Sequence, residues 1–81
     1  MTTNVYSIRD DVSGSFGNLF AHYSDEVAIR FFKFTLSRSE GIEHDFPNDF
    51  TLYRVGSFNF DTGEITAELP TVIIKGSDSI V

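Results

Sequence analysis

The sequence predicts an α+β fold, a small β-α-β-β domain with one helix packed on a mostly antiparallel, three- to four-stranded sheet. Three observations predict it. Apolar and polar residues alternate weakly around Tyr6, an apolar run at helical spacing follows Ser24, and strand-like segments from Phe50 to Leu69 are broken by turn residues.

Val5 to Arg9 reads as the first strand, with β-branched Val5 and Ile8 flanking Tyr6. Asp10 to Asn18 concentrates turn formers and two glycines, so a loop is expected there, with Phe16 and Phe20 folding back as plugs. Ser24 is a good N-cap, and Asp25 and Glu26 follow it where the helix dipole favours negative charge. The helix should run to about Ser37 or Ser39. Glu26, Arg30, Lys33 and Ser37 form a narrow polar stripe, which predicts a helix buried on much of its girth, and Ser39-Glu40-Gly41 provides the exit.

Pro47 should stop the helix from resuming and hold Phe46 extended, with Asn48-Asp49 turning the chain into a central strand from Phe50 to Val55. Period two places Phe50, Leu52 and Arg54 on one face and Thr51, Tyr53 and Val55 on the other. Ser57 to Phe60, Asp61-Thr62-Gly63 and Glu64 to Leu69 read as a hairpin with Gly63 left-handed, closed by Pro70. Val72-Ile73-Ile74 is an edge strand or a docked arm.

The 81 residues make a single domain, 1–81, with 76–81 a loose C-terminal tail. A core this small is marginal. Nine Phe and three Tyr without Trp predict an aromatic interior that consumes most of the rings. The absence of cysteine excludes a disulfide scaffold, a thiolate zinc site and a cysteine nucleophile. No segment reads as a signal peptide or membrane span, which places the protein in the cytoplasm of the cell that makes it. The formal net charge of −6 repels phosphate backbones at long range, so any nucleic-acid contact needs a local basic cluster.

Gly14-Ser15-Phe16-Gly17 is a structural turn and not a phosphate cradle, because no cation follows it and Asp25 and Glu26 occupy the helix start. His44, Asp45 and Asp49, with His22 elsewhere, fit no metal-ligand spacing, and no motif surrounds a serine nucleophile. A non-enzymatic protein without metal or cofactor is expected. The best candidates for contacting nucleic acid are Arg9, Arg30, Lys33, Tyr53 and Arg54, since bases stack on rings and arginines bind phosphates. Against this, Glu26 lies four residues before Arg30, the spacing of an ordinary helical ion pair. The uncovered edge at Val72-Ile73-Ile74 also predicts self-association into a homodimer.

Tyr6-Ser7-Ile8-Arg9-Asp10, Ala28-Ile29-Arg30-Phe31-Phe32 and Phe46 to Ile65 together resemble the small nonstructural protein of the gokushoviruses, single-stranded DNA phages of the microvirus group. The most specific part is Asp49-Phe50-x-Leu52-Tyr53-x-x-Gly56-x-Phe58 followed by Thr62-Gly63. The chain departs from the family pattern in having Asp45-Phe46-Pro47-Asn48-Asp49-Phe50 where a His-Pro-Glu-Asp-Phe run is usual, and in lacking a proline in the first loop. The resemblance implies a non-catalytic accessory protein of viral single-stranded DNA synthesis or packaging, working in the bacterial cytoplasm. Its partners would be single-stranded DNA, the replication initiator or capsid proteins. The alternative is a structural or interaction protein associated with the virion or its assembly. No catalytic residue travels with the resemblance, and Arg9, Arg30 and Arg54 are its contact candidates.

Overall fold

The computed structural model describes residues 1–38 and 41–79. Its elements are β1 (Thr2–Asp10), β2 (Ser15–Phe16), β3 (Phe20–His22), α1 (Asp25–Ser37), α2 (Ile42–Asp45), a 3-10 turn (Pro47–Asp49), β4 (Phe50–Asn59), β5 (Ile65–Lys75) and α3 (Gly76–Ser79). The five strands form one antiparallel sheet in the order β2-β1-β4-β5, with β3 also on β1, so the α+β class is as expected. The extra strands arise because the outer edge of β1 is shared. Asp10 and Arg9 pair with Ser15 and Phe16, while Tyr6, Val5 and Asn4 pair with Phe20, Ala21 and His22. The expected Asp10–Asn18 loop therefore contains a strand, and the Ser7 hydroxyl donates to the Gly17 carbonyl (3.0 Å) to hold it on the sheet.

α1 begins as predicted, with the Ser24 hydroxyl accepting from the Val27 N–H (3.3 Å). It buries Ala28, Phe32, Thr35 and Leu36, a stripe at i, i+4, i+7, i+8. The helix is not buried on much of its girth as its narrow polar stripe predicts: Phe31 and Phe34 are exposed, because the sheet covers α1 on one side only. Its expected exit at Ser39 and Glu40 lies outside the described residues. Gly41, at φ 109°, precedes α2, a helical turn the sequence reading did not expect, and Phe46 takes φ −132°, ψ 57° instead of an extended conformation.

β4 is a single strand where two were expected, and β5 runs through Pro70 instead of stopping at it. Both follow from irregular pairing. Val55 is skipped by β1 and alone faces Glu68, Leu69 and Pro70 of β5, so the proline lies in a bulge on an edge strand, where its missing N–H costs no ladder bond. The hairpin tip matches the reading, with Gly63 at φ 75° and the Asn59 side chain accepting from the N–H groups of Asp61 and Thr62. Gly76 of the expected loose tail is buried beside the Pro47–Asp49 turn and opens α3; residues 80–81 lie outside the described residues.

The core is Tyr6, Ala28, Phe32, Leu36, Phe50 and Leu52, with Ile8, Phe20, Ile29, Ile73 and Ile74 packed around it. It does not consume most of the rings. Only Tyr6, Phe32 and Phe50 are buried, while Phe16, Tyr23, Phe31, Phe34, Phe46 and Phe60 are exposed. α1 shields only one face of the sheet, so Phe16, Tyr23 and Phe60 stay open on the other, and Phe31 and Phe34 stay open on the side of α1 turned away from the sheet.

Candidate nucleic-acid interface

Strand alternation sorts the five predicted contact residues. On β1, Tyr6 and Ile8 face α1 while Ser7 and Arg9 face away. On β4, Leu52 and Arg54 face α1, and Tyr53, paired with Ser7, faces away beside Thr51. Arg9 and Tyr53 thus share the helix-free face. Arg30 and Lys33 sit on the outer side of α1, across the molecule, and make no ion pair among the described residues.

Arg54 has a different setting. Its Nη1 donates to both oxygens of Asp25 (3.3 and 3.1 Å), and its Nε lies 3.4 Å from Glu68 Oε1. The Tyr6 hydroxyl donates to Asp25 at 2.7 Å and accepts from Asn4 Nδ2 at 3.1 Å. Burial of Tyr6, reinforced by its bond to the Asp25 carboxylate, pushes its pKa up to about 12. This network fastens the first turn of α1 to β1, β4 and β5. Arg54 is held between two carboxylates at the seam of helix and sheet.

Around Arg9 and Tyr53 the structure adds two residues that sequence reasoning did not assign to a site. Phe16 meets Tyr53 edge to face, with ring centroids 5.1 Å apart, and the Arg9 guanidinium carbon lies 5.8 Å from the Phe16 centroid. Lys75 is the register partner of Thr51 and so starts from the same face. No signal within a single segment could have found them, because both depend on which strands pair with β1 and β4. Asp11 tempers the cluster: it accepts from Arg9 Nη1 at 2.7 Å through one oxygen and from the Thr51 hydroxyl at 2.6 Å through the other. The assembled surface offers two rings, one paired guanidinium and one ammonium on the face away from α1, over the buried Ser7 and Thr51.

An open groove of about 420 Å³ lies between α1 and the β2–β3 corner, sharing Phe16 with this cluster and lined also by Ile8, Phe20, Phe31, Phe34 and Phe50. Among the described residues no helix is long and apolar enough to cross a membrane.

The family model described as "Phage ORF5 protein" matches residues 3–79. Protein ORF5 of Chlamydia phage 1 is 36% identical over 78 residues, covering 88% of this chain and 81% of that protein. No solved structure matches. With nearly the whole chain under the family model and this relative aligned along most of both lengths, the protein belongs to the phage ORF5 family of small gokushovirus proteins.

Proposed function

We propose that this protein is a non-catalytic accessory factor that acts in the host cytoplasm, in viral single-stranded DNA synthesis or packaging, by binding the single strand or a replication protein. One observation carries the reading: Arg9, Phe16, Tyr53 and Lys75 gather on a sheet face that no helix covers. Rings accept unpaired bases, cations take phosphates, and a face without a covering helix leaves room for an extended strand to lie across these side chains. Arg30 and Lys33, on the far side of α1, are a second basic site that a long strand would reach by wrapping.

Anisotropy of labelled oligothymidine, titrated at about 50 and 200 mM salt, tests direct contact. With Arg9 and Lys75 as the phosphate contacts, the logarithm of affinity should fall with the logarithm of salt at a slope of about −1.4, shallow for a nucleic-acid binder. Tyr53→Ala should weaken binding by about 5- to 150-fold, the equivalent of one lost base stack at 1–3 kcal/mol. Absence of binding at low micromolar protein in the lower salt would reject DNA contact. The net charge of −6 and the presence of Asp11 inside the cluster favour the second reading, a protein partner such as the replication initiator or a capsid component. Retention of either partner on the immobilised protein, lost on Arg9→Glu, would support it.

A further inference from the structure

The helix-free face has a second end with different chemistry. Val5, Leu19, Phe20, Ala21, Phe58 and Ile65 surround an apolar depression of about 340 Å³, with Phe20 reaching it from the core side. Phe58 extends it through an edge-to-face contact with Phe60 (5.6 Å), and Phe60 meets Tyr23 at 6.4 Å. The patch is continuous from β3 across β1 and β4 to β5. It is also open: Tyr23 is 73% exposed, Ile65 63%, Leu19 61% and Phe60 48%. Among the described residues no charged side chain lines the depression, so nothing there would hold a phosphate.

We infer that this patch is a two-fold interface between two copies of the chain. Two bodies each carrying −6 repel, so close approach is favoured where the contact surface carries no charge, as in the lining of the depression. The four exposed side chains present on the order of 500 Å² per copy, so pairing buries about 1,000 Å² in total, the lower bound for a specific interface. The shape is suited to self-pairing, because the exposed Tyr23 and Phe60 rings stand beside a depression, and a two-fold axis sets the rings of each copy against the depression of the other. Arg9 lies four residues along β1 from Val5, the patch residue on that strand, about 13 Å away, so the cationic end of the face stays accessible in the dimer. The inference is independent of DNA binding.

Sedimentation velocity of the full chain from about 1 to 200 μM, a range spanning micromolar dissociation constants, reads the assembly directly. The expected result is a concentration-dependent dimer. Ile65→Glu and Phe60→Ser should each raise its dissociation constant by at least about 30-fold, the effect of losing an interface anchor. Val72→Lys, on β5 away from the patch, should leave it unchanged. Circular dichroism confirms the fold of each variant, and Tyr23→Ser, at the most exposed of the four positions, replaces any variant that fails to fold. A wild-type monomer at the top concentration overturns the inference, as does a dimer that survives the patch variants or yields only to Val72→Lys.

Discussion

Arg9 and Arg54 carry the same charge, yet neighbouring groups give them different tasks. The Arg54 guanidinium closes a network of Asp25, Glu68 and Tyr6 at the start of α1, whereas Arg9, equally half-buried, lies beside a ring with one carboxylate partner. Arg54→Ala, which loses two carboxylate contacts, should therefore cost about 1–2 kcal/mol after allowing for partial solvent screening, and Arg9→Ala, which loses one, about 0.5–1 kcal/mol; urea unfolding of both compares them. Tyr6 makes the same network sensitive to alkali. Its folded pKa is raised to about 12 from the usual 10, so the neutral hydroxyl is the form the fold holds. The contribution is complete below pH 10 and is lost as pH rises through 12, a fall on the order of 2 kcal/mol. Unfolding midpoints measured from pH 8 to 12 should show this decline. In Tyr6→Phe the decline should be shallower, with lower stability at neutral pH because the bond to Asp25 is gone.

Elements were legible where the signal is local. Ser24 followed by Asp25 and Glu26 marks the start of α1 because a cap and a dipole act within one turn, and Gly63 marks the hairpin because its left-handed φ is a property of one residue. Elements that depend on a neighbour were not legible. Pro70 looked like the end of a strand because its lost N–H matters in a regular ladder, but opposite Val55 the ladder is already interrupted. The short β2 exists only because Arg9 and Asp10 offer a free edge. Gly56 belongs to the same class, since its need for a missing side chain appears only once β5 is in place. A Cβ there would run into the Thr66 carbonyl, a backbone group that cannot rotate away. Gly56→Ala should destabilise by more than about 2 kcal/mol, well beyond the usual effect of a small substitution, and a thermal melt followed by circular dichroism checks it. An equivalent change at Gly63 would be strained for another reason, its positive φ, with open space around it.

For the molecule as a whole, one long helix, α1, against one sheet leaves two unequal faces, and this asymmetry decides where many of the aromatic residues go. Composition alone suggested that the rings would fill the interior, because twelve rings in 81 residues is more than a surface normally carries. Arg9 and Tyr53 of the candidate site could be named from the chain; Phe16 and Lys75 could not, since three strand registers had to be known before they met. The interior that remains is small: among the described residues its buried apolar members are Val5, Tyr6, Ala28, Phe32, Leu36, Phe50 and Leu52. A domain of this length has a total stability of about 4–12 kcal/mol, while emptying a buried phenylalanine site costs about 3–5 kcal/mol. Phe32, fully buried, and Phe34, 61% exposed, lie two residues apart on α1 and so point to nearly opposite sides of it. Phe32→Ala should remove most of the cooperative thermal transition, and Phe34→Ser should leave the melting temperature within a few degrees of wild type. Equal losses from the two variants would mean that α1 buries both sides, and the division into a covered and an open face would have to be abandoned.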